Sequence, residues 1–194
     1  MSVRRFFVES IDGPVVEIED DQASHAVRVL RLAVGDVVQL LDGRGNVATG
    51  TVARVGNAVV VADVQSQSVE PLSPKLDIAA SLPKGNRADT LVEKLSELGV
   101  DRLIPIVTQR TVVKPRTNKL DRFSRIAIES AKQCGRPWLM QVEAPTPLKV
   151  VASDESHDLK LFADAPKVSG DPEASDDQDD DATMVRGLPQ DLEQ

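Results

Sequence analysis

The sequence predicts a mixed class, α/β plus β: a small β-barrel closed on itself, then a mostly parallel α/β sheet, then an acidic tail. Three observations carry this. Residues 37–64 fall into short valine-rich runs separated by strong hairpin signals. From residue 76 strands alternate with helices, as βαβ units require. From Pro166 the apolar content collapses into an aspartate-rich stretch.

In order, Val3–Val8 reads as a first strand and Pro14–Ile18 as a second, after the turn signal Asp12-Gly13. Asp20 or Asp21 can cap a short helix through His25, Val27 and Leu30. Val37–Leu41, Val47–Val55 and Ala58–Val64 follow as strands, separated by Asp42-Gly43-Arg44-Gly45-Asn46 and by Gly56-Asn57. Gln65–Pro74 is polar and without periodicity, the best candidate for a linker, and places a domain boundary near residue 72. Beyond it come a strand at Leu76–Leu82, a helix from about Ala88 to Leu98 and a strand at Leu103–Val107. A longer helix runs from about Lys119 to Cys134, with Leu120, Phe123, Ile126, Ala127 and Ala131 on one face and Gly135 and Pro137 ending it. Trp138–Val142 is extended, Leu148–Ser153 a helical turn and Leu159–Ala163 a last strand. Val168–Thr183 has too little apolar surface to offset the entropy of ordering it, so disorder is expected. The resulting domains are 1–72, 73–165 and a tail at 166–194.

Composition narrows the function classes. The chain has 194 residues, 41% of them hydrophobic, but only 3% aromatic and no Tyr, so stacking platforms for bases are scarce. Residues 151–194 hold 13 acidic and 3 basic side chains, leaving 18 acidic and 20 basic in residues 1–150. The net charge of −8 therefore conceals a mildly basic body that can bind nucleic acid through a local patch. One cysteine allows no internal disulfide, and no apolar run reaches membrane-spanning length. A cytoplasmic protein with no membrane partner is expected.

His25, Arg28 and Arg31 can share one side of the short helix, as a phosphate-contacting patch or as a solvated helix face. Lys84, Arg87 and Asp89 lie in the stretch Leu82–Val100, past a strand's carboxyl end, where open α/β sheets bind ligands. Arg110, past the next strand, aims at the same edge, and Lys114, Arg116 and Lys119 extend the basic run. Cys134, on an apolar helix position, reads as core rather than nucleophile. Two separated histidines and one cysteine give no metal-ligand spacing, and neither GxGxxG nor GxxxxGK[ST] occurs.

Taken together these residues resemble a known family. The pieces are Arg5-x-Phe7-Val8, His25-Ala26-Val27-Arg28-Val29-Leu30-Arg31 with Gly35-Asp36, and Asp42-Gly43-x-Gly45. Further on come Pro83-Lys84-Gly85-x-Arg87-x-Asp89, Lys94-x-x-Glu97-Leu98-Gly99-Val100, Pro105, Arg110 and Glu129-x-x-x-Gln133-Cys134-Gly135-Arg136. Over residues 3–163 the chain is similar to the ribosomal RNA small subunit methyltransferase E family, which methylates N3 of a uridine in 16S rRNA using S-adenosylmethionine. The resemblance implies a PUA-like barrel that helps hold RNA, a SPOUT-type α/β domain and a homodimer acting on 16S rRNA or the small ribosomal subunit. It further implies that Arg5, His25, Arg28, Arg31, Lys84, Arg87, Arg110 and Arg136 face RNA, while Lys94 and Glu97 support their helix.

The family's Gly-Pro-Glu-Gly-Gly loop and later Leu-Gly-x-x-x-Leu-Arg-x-Glu-Thr segment, which make the cofactor pocket and tie a carboxyl-terminal knot, do not occur in this sequence. Gly170-Asp171-Pro172-Glu173 is only a superficial echo. The expected second domain therefore lacks most of its knot, and no cofactor-binding residues are assigned. Three readings stand: a uridine-N3 methyltransferase, a non-catalytic RNA-binding remnant, and a truncated gene product without independent function.

Overall fold

Alternating apolar positions build the first sheet. This computed structural model describes residues 3–108, 111 and 117–163, so Arg110, Lys114, Arg116 and the stretch Val168–Thr183 lie outside the described residues. β1 (Arg4–Phe7) runs parallel to β3 (Val37–Leu41), with Phe6 opposite Leu40. β3 is antiparallel to β4 (Asn46–Val55), β4 to β5 (Val59–Ser68), and β5 to β2 (Val16–Ile18). The order is β1-β3-β4-β5-β2. Register shifts between Thr49 and Thr51 and between Val52 and Arg54 bend β4, so the sheet curls around Phe6, Ile18, Val38, Leu40, Val52, Val59 and Val61.

Among the described residues the curl does not close by hydrogen bonds: β1 and β2 end the sheet without pairing, so the expected closed barrel is a half-barrel. α1 (Asp20–Arg28) supplies the reason. Its Ala23 and Ala26 complete the core, and the Gln22 amide takes the hydrogen bonds a neighbouring strand would make. Gln22 Oε1 accepts the Phe7 N–H at 3.1 Å, and Nε2 donates to the Phe7 carbonyl at 2.6 Å. Two local expectations also change. Glu19, in extended conformation, stands at the N-cap of α1 and makes no side-chain capping bond, its carbonyl taking the Ala23 N–H instead. The expected linker starts later, because Gln65–Ser68 continue β5 against Asn46–Thr49; main-chain pairing needs no apolar periodicity.

The second sheet is parallel throughout. β6 (Asp77–Ala80) and β8 (Gln141–Val142) flank β7 (Arg102–Val107), and β9 (Thr146–Pro147) pairs with Ile106 and Val107 farther along the same strand. α2 (Asn86–Leu98) and α3 (Thr117–Cys134) close over Leu82, Ala88, Val92, Val100, Leu103, Phe123, Ala127 and Met140. Small polar residues let these helices approach: Ser96 Oγ donates to the Ala127 carbonyl at 3.3 Å and Ser130 Oγ to the Glu93 carbonyl at 3.1 Å. α4 (Leu148–Ser153) is a short final helix.

The β9 pairing has no sequence signal, since a Thr-Pro dipeptide reads as a loop. Conversely, the strand expected at Leu159–Ala163 does not form. Leu159, Leu161 and Phe162 are about half exposed on both alternating positions, so no face is buried to hold a ladder. The chain divides after Val151: the first unit contains both hydrophobic clusters, and the described residues from Ala152 belong to the second. Within the second, Asp154 Oδ1 accepts the Ser156 N–H at 2.9 Å and Lys160 Nζ donates to the Ala152 carbonyl at 3.1 Å.

Candidate nucleic-acid interface

Helix termini decide where several of the singled-out cations go. α2 ends at Gly99 in the left-handed conformation (φ +96°), with Val100 N–H bonded to Leu95 O and Gly99 N–H to Ser96 O. The remaining carbonyl capacity is met by Arg136, whose guanidinium donates to Ser96 O at 3.0 Å and Gly99 O at 2.7 Å. Partial burial pulls the Arg136 pKa below its ordinary value, which still leaves it a cation. α3 ends the same way: Gly135 has φ +74° and Arg136 N–H bonds Ala131 O. Arg5, from β1, donates to Lys132 O at 3.2 Å and Gln133 O at 3.1 Å while its Nε holds Gln39 Oε1 at 2.8 Å. Two arginines thus cap two helix C-termini, where a positive charge meets the dipole's negative end.

Arg5 also bridges the two sheets, and the β3–β4 hairpin does so again. Asp42 is buried and organises that hairpin: Oδ1 accepts the Arg44 and Asn46 N–H groups and Oδ2 the Asn46 side chain. Gly43 O accepts the Leu139 N–H, Gly45 N–H donates to Pro137 O, and Arg44 bridges to Trp138. The Trp138 Nε1 donates to Val69 O at 2.9 Å. A Cβ on Gly45 would lie 2.4 Å from the Trp138 ring, and one on Gly43 2.7 Å from Phe7. The two glycines of Asp42-Gly43-x-Gly45 are needed for this close approach. Sequence reasoning missed Trp138, Gln22 and Ser130, because each acts on a main-chain group distant in sequence.

Five other singled-out side chains stand in the open. His25, Arg28 and Arg31 are exposed at and beyond the end of α1, and Lys84 and Arg87 at the start of α2. Among the described residues none of these five side chains has a hydrogen bond or ion pair. Arg44 is exposed on the hairpin as a further cation. Asp89, by contrast, accepts Arg122 at 2.6 Å, tying α3 to the first turn of α2. Lys94 bonds Glu93 and Glu97; these bonds, first that to Glu97, raise its pKa and keep it within its helix. α2 is about 20 Å long by its rise per residue, so Lys84 and Arg87 stand at the opposite end from Arg136.

Cys134 is exposed rather than core, its Sγ directed at Ala131 O. It follows the last buried position, Ala131, by three residues, and the left-handed turn at Gly135 ends the helical face there. A shallow groove of about 270 Å³ between α2 and α3 is lined by Glu93, Arg122, Arg125 and Glu129, with Ile126 as its apolar contribution. Among the described residues no group of three or more His, Cys, Asp or Glu side chains gathers to hold a metal, and no helix is long and apolar enough to cross a membrane.

Comparison with known proteins follows the same division. A family model for an RNA methyltransferase PUA domain matches residues 18–61, and one for an RNA methyltransferase domain matches residues 70–183. The ribosomal RNA small subunit methyltransferase E of Synechocystis is 38% identical over 139 residues, covering 71% of this chain and 45% of that protein. Its Bacillus subtilis counterpart is 29% identical over 157 residues, covering 73% and 61%. The chain thus spans about half the length of the curated relatives it matches. A Legionella pneumophila structure, described as a methyltransferase in complex with its cofactor SAM, superposes with a TM-score of 0.76 at 26% identity, over 88% of this chain and 73% of that one. A Neisseria gonorrhoeae ribosomal RNA small subunit methyltransferase E bound to S-adenosylmethionine gives 0.72 at 22%, over 80% and 67%, which supports the fold alone.

Proposed function

Since the chain belongs to the RNA methyltransferase family, we propose that its two sheets are the RNA-holding portion of an enzyme that methylates N3 of a uridine in 16S rRNA from S-adenosylmethionine. The observation that carries the reading is the set of exposed, partner-free cations on a PUA-type half-barrel and on the first loop of the α/β sheet, Arg28, Arg31, Lys84 and Arg87, with the His25 imidazole beside them. Cations already committed within the fold, such as Arg5 and Arg136, hold the two sheets and their helices in register instead. The partner is 16S rRNA or the small ribosomal subunit, and the domains are 1–72 and 73–165, with a tail at 166–194. On this reading the working form is a homodimer and the second domain a SPOUT fold.

The cofactor supplies an electrophilic methyl group that must lie in line with the accepting nitrogen, and misplacement by about 1 Å costs roughly a hundredfold in rate. The α2–α3 groove, lined by Glu93, Arg122, Arg125, Ile126, Glu129, Ser130 and Gln133 on the flanks of two helices, is not assigned to the cofactor. A second reading for the chain on its own is RNA binding without catalysis. Isothermal titration with S-adenosylmethionine separates the two: no heat of binding in a folded, monodisperse sample removes catalysis from this chain. Fluorescence anisotropy with 16S fragments tests the shared part, with affinity expected to fall linearly in log–log form as salt rises. Replacing Arg28 and Arg31 together by Ala should lower the magnitude of that slope by about 1.5, at about 0.7 to 0.9 for each phosphate no longer neutralised. An unchanged slope would refute their role.

A further inference from the structure

The loop joining α1 to β3 carries more than cations. Val29, Val34 and Val37 are 64%, 65% and 60% exposed, within nine residues of chain that also hold Arg31 and adjoin Arg28. Scattered exposed valines need no explanation, but two on this short loop with a third, Val37, opening β3 do. Nor is the loop slack. Leu32 is buried, and its N–H reaches back to the Ala26 carbonyl while Arg31 takes a left-handed conformation (φ +49°) that is unusual for a side-chain-bearing residue. Gly35 N–H donates to Val52 O, and Asp36 O accepts the Val52 N–H. The Asp36 carboxylate accepts the Ala33 N–H at 3.0 Å and the Arg4 guanidinium at 2.5 Å. The loop is therefore pinned at Leu32, Gly35 and Asp36, and it projects Val29, Arg31 and Val34 from a fixed base.

A basic surface that binds RNA usually supplies aromatic rings for unpaired bases. In the unit formed by residues 1–151 those rings are committed among the described residues. Phe6 and Phe123 are buried, Phe7 packs over Gly43, and Trp138 packs over Gly45. That leaves the exposed His25 imidazole, aliphatic side chains and guanidinium planes for bases, and the loop beside His25 presents the last two together.

We propose that the Val29–Val37 loop is the base-contacting element of the half-barrel, with Arg28 and Arg31 on phosphates and Val29 and Val34 against the faces of unpaired bases. This rests on the RNA-binding reading above and adds the kind of RNA: a structured RNA with a single-stranded or distorted segment at the loop. Aliphatic groups gain only when they leave water against apolar surface, and a continuous A-form duplex keeps its base faces stacked. The strained but pinned backbone fits this role, because a loop ordered in advance loses little entropy when it binds.

The test uses the full chain and two labelled RNAs of equal length, one a hairpin with an unpaired loop and one a continuous duplex. The double substitution Val29→Ser, Val34→Ser lies on the surface and should leave the melting temperature unchanged. It is expected to weaken hairpin binding by about tenfold or more, from the apolar area returned to water, to leave duplex binding alone, and to leave the salt slope unaltered. Arg28→Ala with Arg31→Ala should weaken both RNAs and flatten the slope. Hairpin affinity equal to the parent's in the valine variant overturns the proposal while RNA binding stands. Equal losses on hairpin and duplex also overturn it. If the parent binds neither RNA, the functional reading fails with it. If the valine variant instead turns a dimer into a monomer with RNA affinity intact, the loop is a self-association surface and the proposal is wrong.

Discussion

Replacing Gly45 by Ala should cost far more stability than the same change at Gly13, in an open turn. Gly45 has φ +95°, and an added Cβ would sit 2.4 and 2.6 Å from two atoms of the Trp138 ring and 2.9 Å from the Val69 carbonyl. Left-handed backbone costs a residue with a Cβ about 1–2 kcal/mol. The overlap must then be relieved by moving an indole that is itself hydrogen-bonded to Val69 O, which adds about 1–3 kcal/mol of overpacking. Loss of that hydrogen bond adds about 1 kcal/mol. The expected total is about 3–6 kcal/mol, a large fraction of the roughly 5–15 kcal/mol that holds a typical domain folded. Urea unfolding followed by circular dichroism measures it, and Trp138, the only tryptophan, reports the local change by fluorescence. Gly13→Ala is the control: it has φ +83° with nothing within 4 Å, so it isolates the backbone component. Adding Trp138→Ala to Gly45→Ala should recover part of the cost, since neighbours that clash are not additive. If Gly45→Ala is no worse than Gly13→Ala, the packing of the hairpin on Trp138 does not couple the two sheets, and the role given to Asp42-Gly43-x-Gly45 fails.

Arg136→Met should destabilise by about 2–3 kcal/mol in the same assay, because two carbonyls at the end of α2 lose charge-assisted bonds. Arg136→Lys should rescue it only in part, as an ammonium cannot reproduce the forked pair; full rescue would show that charge alone matters. Asp36 has its pKa held below the ordinary 3.8, first by the Ala33 N–H and then by Arg4. A depressed carboxylate contributes stability that is present above its unfolded pKa and lost as pH falls through the folded value. Asp36→Asn should therefore flatten the melting-temperature curve below about pH 4, and a variant curve parallel to the parent's would remove Asp36 from the loop's support. Ser130→Ala should cost about 1 kcal/mol by removing the donor to the Glu93 carbonyl between α2 and α3; no change would mean that water replaces it.

Local signals carried much of the fold. Short valine-rich runs with Asp-Gly and Gly-Asn turns gave β3, β4 and β5 to within a few residues, and the three- and four-residue spacing of Leu120, Phe123, Ala127 and Ala131 gave α3. Hairpin register and helix amphipathicity are properties of residues close together in the chain. Where pairing partners are remote the signals failed. β9 is a two-residue Thr-Pro step too short for a strand signal, held by Ile106 and Val107 about 40 positions earlier, while Leu159–Ala163 has the right residues and forms no ladder.

What the sequence determined by itself is the inventory: a mildly basic body with an acidic tail, one cysteine, few aromatics, and a set of arginines, lysines and glycines in an order that resembles one family. It could not say which cations are free. Arg5, Arg28, Arg31 and Arg136 look equivalent as sequence, yet the structure commits Arg5 and Arg136 to helix carbonyls and leaves Arg28 and Arg31 without a partner among the described residues. Only the tertiary structure decides this, because a guanidinium is claimed by whichever acceptors the fold brings within about 3 Å. For Arg5 those acceptors are Lys132 O and Gln133 O, some 127 residues away along the chain.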